Sequence, residues 1–299
     1  MKIGGDLAGR AFGPREATVD ARWLMAYAAA LGDTDPAYLD TRRPGGIVGH
    51  PLFPVCYEWP LAVEVRESTM DAAVLPRGVH ATHDLRIHRR ARPGDRLRVS
   101  ARIVRVEARA PGAYLLWRFE TVDAAGAPVS TTDYGSLFLG VACDGPPAPA
   151  GSSHAGPGAE RRDAPARGPR WSTTVPIAAT AAHTYTEGAR IWNPIHTDRA
   201  VAEAAGLPDI ILHGTATLAL AVSEVLRREG LGADAPVSRI SCRFGGMVRM
   251  PSTLEVRGLA APAVRGLDAA GERGGAVAFE ALTADGRPAL RDGQLWLGA

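Results

Sequence analysis

Arg190-Ile191-Trp192-Asn193-Pro194-Ile195-His196-Thr197-Asp198, with Ile211-Leu212-His213-Gly214-Thr215 close behind, decides how this chain is read. Asn-Pro-Ile-His is rigid and polar within an apolar neighbourhood, and it places one imidazole at a bend. The second bend leads into an apolar helix, so backbone N–H groups stand at a helix start. A titratable ring opposite oriented N–H donors suits a site that acts on a polarised carbonyl.

Working outward, the stretch has a counterpart earlier in the chain. Asp33-Thr34-Asp35-Pro36-Ala37-Tyr38-Leu39-Asp40 aligns with Ile191 to Asp198, so that Pro36 matches Pro194, 158 residues on. Arg92-Pro93-Gly94 and Met250-Pro251-Ser252 share that offset. So do the terminal segments Tyr134–Gly140 and Asp292–Gly298. Three landmarks at one spacing across a hundred residues define an internal duplication. Between the copies, residues 146–170 are rich in Pro, Gly and Ala and read as an exposed linker. The expected organisation is an N-terminal domain over residues 1–145, the linker, and a C-terminal domain over residues 171–299.

Each copy has the same coarse order. A short helix comes first, spanning Asp20 to Gly32 in the N half, with Asp20 as N-cap and Gly32 as stop. The proline bend follows, then a longer apolar helix: about Pro51–Glu67 in the N half and about Thr215–Arg228 in the C half. In the latter, Leu218, Val222, Val225 and Leu226 recur at helical spacing. Three or four strands complete each half, with Ala125-Gly126 and Asp285-Gly286 turning between the last two. One long helix followed by antiparallel strands indicates an α+β fold in which a sheet wraps a buried helix.

Composition narrows the functional classes. The 34 basic and 32 acidic residues nearly cancel, which gives no reason to expect nucleic acid or an anionic membrane as partner. No run reaches the roughly 18 apolar residues of a spanning helix, and the N-terminus lacks the apolar core of a signal peptide. Cys56, Cys143 and Cys242 are odd in number and far apart, so neither a disulfide framework nor a metal site is expected. A reducing cytoplasm is the default location.

The motif Asn193-Pro194-Ile195-His196, then Asp198, Ala205-Gly206 and Leu212-His213-Gly214, resembles the MaoC-like (R)-specific enoyl-CoA hydratase and 3-hydroxyacyl-thioester dehydratase family in its fused, double-hotdog form. The resemblance spans both halves and is strongest over roughly Tyr185–Val225. It implies a tandem hotdog, each half a long helix wrapped by antiparallel sheet. It also implies addition or removal of water across the C2–C3 bond of an acyl thioester, usually of coenzyme A. No further cofactor, metal or flavin is implied. The substrate would be an acyl-CoA or an acyl-carrier thioester, and the resemblance leaves room for a homodimer.

Under that resemblance His196 is the general base and acid, Asn193 holds the water or fixes the loop, and the N–H groups at Gly214 and Thr215 form the oxyanion hole. The family's catalytic Asp falls at Ile191, which cannot accept a hydrogen bond. The N-terminal copy is the reverse: Asp33 stands at the Asp position and Tyr38 at the His position. Glu187 is a candidate substitute carboxylate. Ile191, Trp192, His213 and Thr215 are candidates for contact with substrate. Arg89 and Arg90, within the basic run Arg86–Arg92, are candidates to clasp coenzyme A phosphates.

Each assignment has a structural alternative. His213 could brace its turn, Asn193 could be a turn residue before proline, and Asp198 fits an N-cap for the helix that follows. Asp33 and Asp35 fit turn chemistry. The basic run fits a solvated strand edge. Leu52, Phe53 and Trp59 fit either a widened acyl tunnel or plain core. Two other functions compete with the hydro-lyase. One is an acyl-thioester binding protein that kept the pocket and lost the chemistry, favoured by Ile191. The other is a hotdog thioesterase, which needs a carboxylate such as Glu187.

Overall fold

The computed structural model describes residues 1–146, 168–260 and 276–298, so the linker expected at 146–170 lies almost wholly outside the described residues. The N half contains β1 (Lys2–Ile3), β2 (Ala11–Thr18), α1 (Ala21–Ala30), α2 (Pro36–Leu39), α3 (Pro54–Thr69), β3 (Gly78–Ile87), β4 (Arg96–Arg109), β5 (Gly112–Asp123), β6 (Pro128–Leu139) and β7 (Ala142–Cys143). The C half contains β8 (Trp171–Ile177), α4 (Ala181–Ala189), a 3-10 turn at Pro194–His196, α5 (Arg199–Ala204), α6 (Gly214–Arg228), β9 (Val237–Phe244), β10 (Ser252–Gly258), β11 (Ala276–Thr283) and β12 (Pro288–Leu297). Among the described residues, no helix is long and apolar enough to cross a membrane.

Local chemistry explains several boundaries. The Asp20 carboxylate accepts from the Trp23 N–H at 2.7 Å and starts α1. Asp198 likewise accepts from Ala200 and Val201 and starts α5. α6 begins one residue before the expected Thr215. α3 begins three residues after the expected Pro51, because His50 to Phe53 form a turn in which the Phe53 N–H meets the His50 carbonyl. Each half contributes five strands to the main sheet, more than the three or four expected. The missed ones, β2 and β8, precede the first helix and lie at the two edges of the sheet. β2 is mostly exposed and contains Pro14, so it carries little strand signal.

A ten-stranded sheet runs β2-β4-β5-β6-β3-β9-β12-β11-β10-β8. α3 packs on β2 and β4, and α6 packs on β8, β10, β11 and β12. Each long helix thus packs on strands of its own half, the double-hotdog arrangement. The halves meet where β3 pairs antiparallel with β9, its own duplicate. The register obeys a two-fold axis: Asp84 faces Ser241 while His83 faces Cys242, and Thr82 faces Arg243 while Leu85 faces Ile240. A second contact on that axis is between the hydroxyls of Tyr27 and Tyr185, 158 positions apart in sequence and 3.5 Å apart in space. Around it α1 crosses α4 closely. A Cβ at Gly188 would come within 2.7 Å of the Ala26 carbonyl oxygen, so glycine sets the approach of the two helices.

A buried ion pair ties the seam. The Arg239 guanidinium of β9 donates to both Asp84 carboxylate oxygens of β3, at 2.8 and 2.6 Å. Arg239 also lies under the Trp296 ring, 4.7 Å from its centroid. With side-chain exposures of 5% and 12%, each charge draws from the other part of the solvation that water would supply.

Candidate active site

A cavity of about 420 Å³ lies between the halves. Its C-half wall is built from the two motifs. α4 ends at Arg190, a non-glycine residue at φ 57°, whose guanidinium lies 4.3 Å from the centre of the Trp23 ring. The chain then passes inward through Ile191, 4% exposed, to the turn that Pro194 starts. That turn delivers His196 to the cavity, with Asn193 and Ile191 beside it.

The geometry fixes the state of the His196 ring. Its Nδ1 lies 2.9 Å from the Ile211 carbonyl oxygen, which can only accept, so Nδ1 carries the proton. Nε2 is therefore a lone pair, and the ring's one side-chain hydrogen bond among the described residues is the Nδ1 contact. The ring stacks on His213 with centroids 3.7 Å apart. Burial pulls the His196 imidazole down to about 4, against a smaller upward pull from the Ile211 carbonyl. Burial, and then the neighbouring His196, hold His213 well below the usual histidine range. His213 is the N-cap of α6 and 2% exposed. Its Nε2 is 3.3 Å from Thr186 Oγ1, while its Nδ1 is buried without a partner.

α6 starts immediately beyond. The amides of Gly214 and Thr215 stand where no preceding turn supplies an acceptor, at the positive end of the helix. Both residues line the cavity. A side chain at Gly214 would press on the Phe244 ring at 3.2 Å, so the glycine lets that cavity wall close against the helix start. The Tyr185 hydroxyl donates to Thr215 Oγ1 at 3.0 Å and holds that residue's side chain.

The structure separates other expected site residues from this group. Glu187 is exposed on the outer side of α4 and shares a different surface groove with Trp192, itself 60% exposed. Four residues before Ile191 on a helix ending at Ala189, Glu187 is turned away from the cavity, which corrects its reading as a substitute carboxylate. Trp192 likewise faces outward rather than toward a ligand in the cavity. Arg89 is paired with Asp95 at 2.8 Å and with Asp123. Arg90 donates to the Gly49 carbonyl at 2.7 Å and to Ala233 across the halves. Neither lines the cavity, so their reading as phosphate clasps is corrected to structural pairing. Leu52 and Phe53 are core, whereas Trp59 reaches the cavity wall.

Sequence reasoning missed several lining residues. Arg66, Arg243 and Arg291 bring positive charge to the cavity, from segments without a motif. Glu58 of α3 and His80 of β3 also line it. Glu58 had a signal: a lone acid in the apolar run Pro54–Val63 needs a buried partner. Among the described residues no cluster of His, Cys, Asp or Glu is placed to hold a metal ion.

The N-terminal counterpart of the site is filled. Tyr38, 1% exposed, occupies the His196 position, and its ring lies 5.6 Å from His50. Asp33 accepts from the Ser223 hydroxyl at 2.9 Å, and that hydroxyl accepts from His50 Nε2 at 3.1 Å. The proton direction follows from His50 Nδ1, which accepts from the Leu52 N–H. Asp33 is thus spent on a closed internal network and does not line the cavity with His196.

Comparison with known proteins agrees with this geometry. Residues 161–263 match the MaoC like domain, and residues 6–132 match the FAS1-like, dehydratase domain region. The C half thus carries a MaoC like domain and the N half a FAS1-like dehydratase-type region, joined in a double-hotdog fold. A MaoC-like dehydratase from Phytophthora capsici is 20% identical with a TM-score of 0.78, over 98% of this chain and 96% of that one. A conserved Mycobacterium tuberculosis protein described as a double hotdog is 16% identical with a TM-score of 0.58, over 97% and 96%. The full-length peroxisomal multifunctional enzyme type 2 of Drosophila melanogaster is 19% identical with a TM-score of 0.73, over 96% of this chain. This chain spans 48% of that enzyme's length. No curated protein matches the chain.

Proposed function

We propose that the chain is a hydro-lyase that adds water to, or removes it from, the C2–C3 bond of an enoyl- or 3-hydroxyacyl-thioester. The observation that carries this reading is His196, its Nδ1 fixed by the Ile211 carbonyl, lining a ligand-sized cavity beside the start of α6. In hydration, neutral Nε2 takes a proton from water as the oxygen bonds to C3. The C2–C3 electron pair shifts toward the thioester oxygen, where the Gly214 and Thr215 amides meet the developing charge. The imidazolium returns its proton to C2 as the enolate collapses. Dehydration runs the same steps backward. The enolate offsets the cost of charging a buried ring. Arg66 and Arg291 are cationic groups on the cavity suited to coenzyme A phosphates, with Arg243 beside them paired to Asp292 at 3.6 Å.

The pH profile tests the base. Its folded pKa of about 4 lies below the ordinary 6.5, so Nε2 is free of a proton throughout the neutral range. Activity is expected to stay level from pH 8 to about 6 and to fall as pH drops toward 4. The same depression means the unfolded chain binds the proton first, so stability also declines between pH 6.5 and 4. An inflection in kcat/KM at 6.5 would place the working histidine in water and remove His196 from the role.

A second reading, thioester binding without turnover, is favoured by Ile191, since the family carboxylate is absent there. Ile191→Asp separates the two. If the apolar wall belongs to a working site, this variant loses enoyl-thioester hydration, because it buries a carboxylate without a partner. A large rate gain, followed through the absorbance of the conjugated thioester, would instead mark a decayed site.

A further inference from the structure

The N-half wall of the cavity carries polar groups that the hydration chemistry leaves unused. Val55, Glu58, Trp59, Ala62 and Arg66 form one face of α3 and line the cavity. Glu58 is 4% exposed and is the sole acid among the described lining residues. The Thr132 hydroxyl of β6 donates to Glu58 Oε1 at 2.7 Å. Burial raises the Glu58 carboxyl to about 8, outweighing the hydroxyls of Thr132 and Ser130, which pull it down. At neutral pH it therefore carries an O–H donor.

His80 faces the same void. Its ring lies between Tyr134, stacked at 3.8 Å, and Phe244 at 4.2 Å, and its Nε2 is buried with no partner. Thr132, which holds Glu58, and Tyr134, which stacks on His80, are two residues apart on β6 and so share a sheet face, about 7 Å from each other. A carboxyl and an unpaired ring nitrogen are costly groups to bury in a wall whose other side chains are mostly apolar. A ligand that hydrogen-bonds to them removes that cost.

We propose that the cavity takes an acyl group bearing an oxygen along its chain, with Glu58 as the donor to that oxygen and His80, whose Nε2 has no partner, beside it. This rests on the reading above that an acyl thioester occupies the cavity. A keto, hydroxyl or carboxylate oxygen would share this chemistry.

The test measures binding of three saturated, unreactive coenzyme A thioesters of equal chain length by calorimetry on the full chain. One is plain alkyl, one carries a keto or hydroxyl group, and one ends in a carboxylate. At least one oxygenated thioester is expected to bind about tenfold tighter than the alkyl one, and the arm that does so identifies the oxygen. Glu58→Leu is expected to bring the ratio close to one, while Glu58→Gln, which keeps a donor, preserves most of it. His80→Phe is expected to reduce it too, and it serves if Glu58→Leu does not fold. Equal or tighter binding of the alkyl thioester, no binding of any of the three, or a ratio indifferent to both positions overturns the proposal. If the preference holds while no enoyl thioester is hydrated, the hydro-lyase reading fails and this assignment stands.

Discussion

His196→Ala is expected to abolish hydration of a short enoyl thioester, with a loss of at least roughly 10²–10⁴-fold from removal of the acid–base group alone. The ring does two jobs in the proposed reaction, taking the water proton and returning it to C2, while Glu58, the one acid among the described lining residues, belongs to the N-half wall. The fold should survive the change. The Ile211 carbonyl loses one donor and His213 loses its stacked neighbour, but the sheet and both long helices are untouched. The measurement is therefore paired: thermal unfolding close to wild type, and absorbance of the conjugated thioester unchanged with time. Turnover equal to wild type would take His196 out of the mechanism and leave the cavity as a binding site only.

Asp84→Ala is expected to give the largest stability loss. It removes the carboxylate that pairs with the Arg239 guanidinium, itself 5% exposed, on both of its oxygens. Breaking a buried pair from one side costs about 3–5 kcal/mol, because the remaining charge cannot regain water. The pair bridges β3 and β9, where one half joins the other, so the damage falls on the seam of the sheet. Urea unfolding should show a lowered midpoint. Replacing both partners together, as Asp84→Leu with Arg239→Met, should recover much of the loss, since an apolar pair needs no solvation. A single variant as stable as wild type would show that the seam is held by backbone pairing alone.

Much of the architecture was legible. The fixed spacing of 158 residues announced two copies, and helical spacing announced α6 to within a residue. The Asp20 and Asp198 caps were readable because a cap is a contact between near neighbours in sequence. The edge strands β2 and β8 were not: β2 is mostly exposed, and both β2 and β8 carry a proline inside the strand. At the site, the Asn-Pro-Ile-His turn and the His-Gly helix start were visible as local geometry. Arg89 and Arg90 misled because a run of basic residues looks the same whether its members face solvent or pair internally. Asp95, Asp123 and the Gly49 carbonyl settle that question, and folding alone brings them near. Glu187 misled in the same way, since adjacency in sequence to Ile191 says nothing of which side of α4 it takes.

The sequence by itself determined that this protein is a duplicated helix-and-sheet module with one intact imidazole turn, because repeats, turns and caps are written in short-range spacing. The tertiary structure alone decided which copy keeps an open cavity. Tyr38, Asp33, His50 and Ser223 close the N-terminal site upon itself, whereas His196 lines a void that the other half helps to wall. That void is completed by Glu58, His80 and three arginines from distant segments. Groups far apart in the chain acquire a common chemistry only when the two-fold seam brings their surfaces together and excludes water between them.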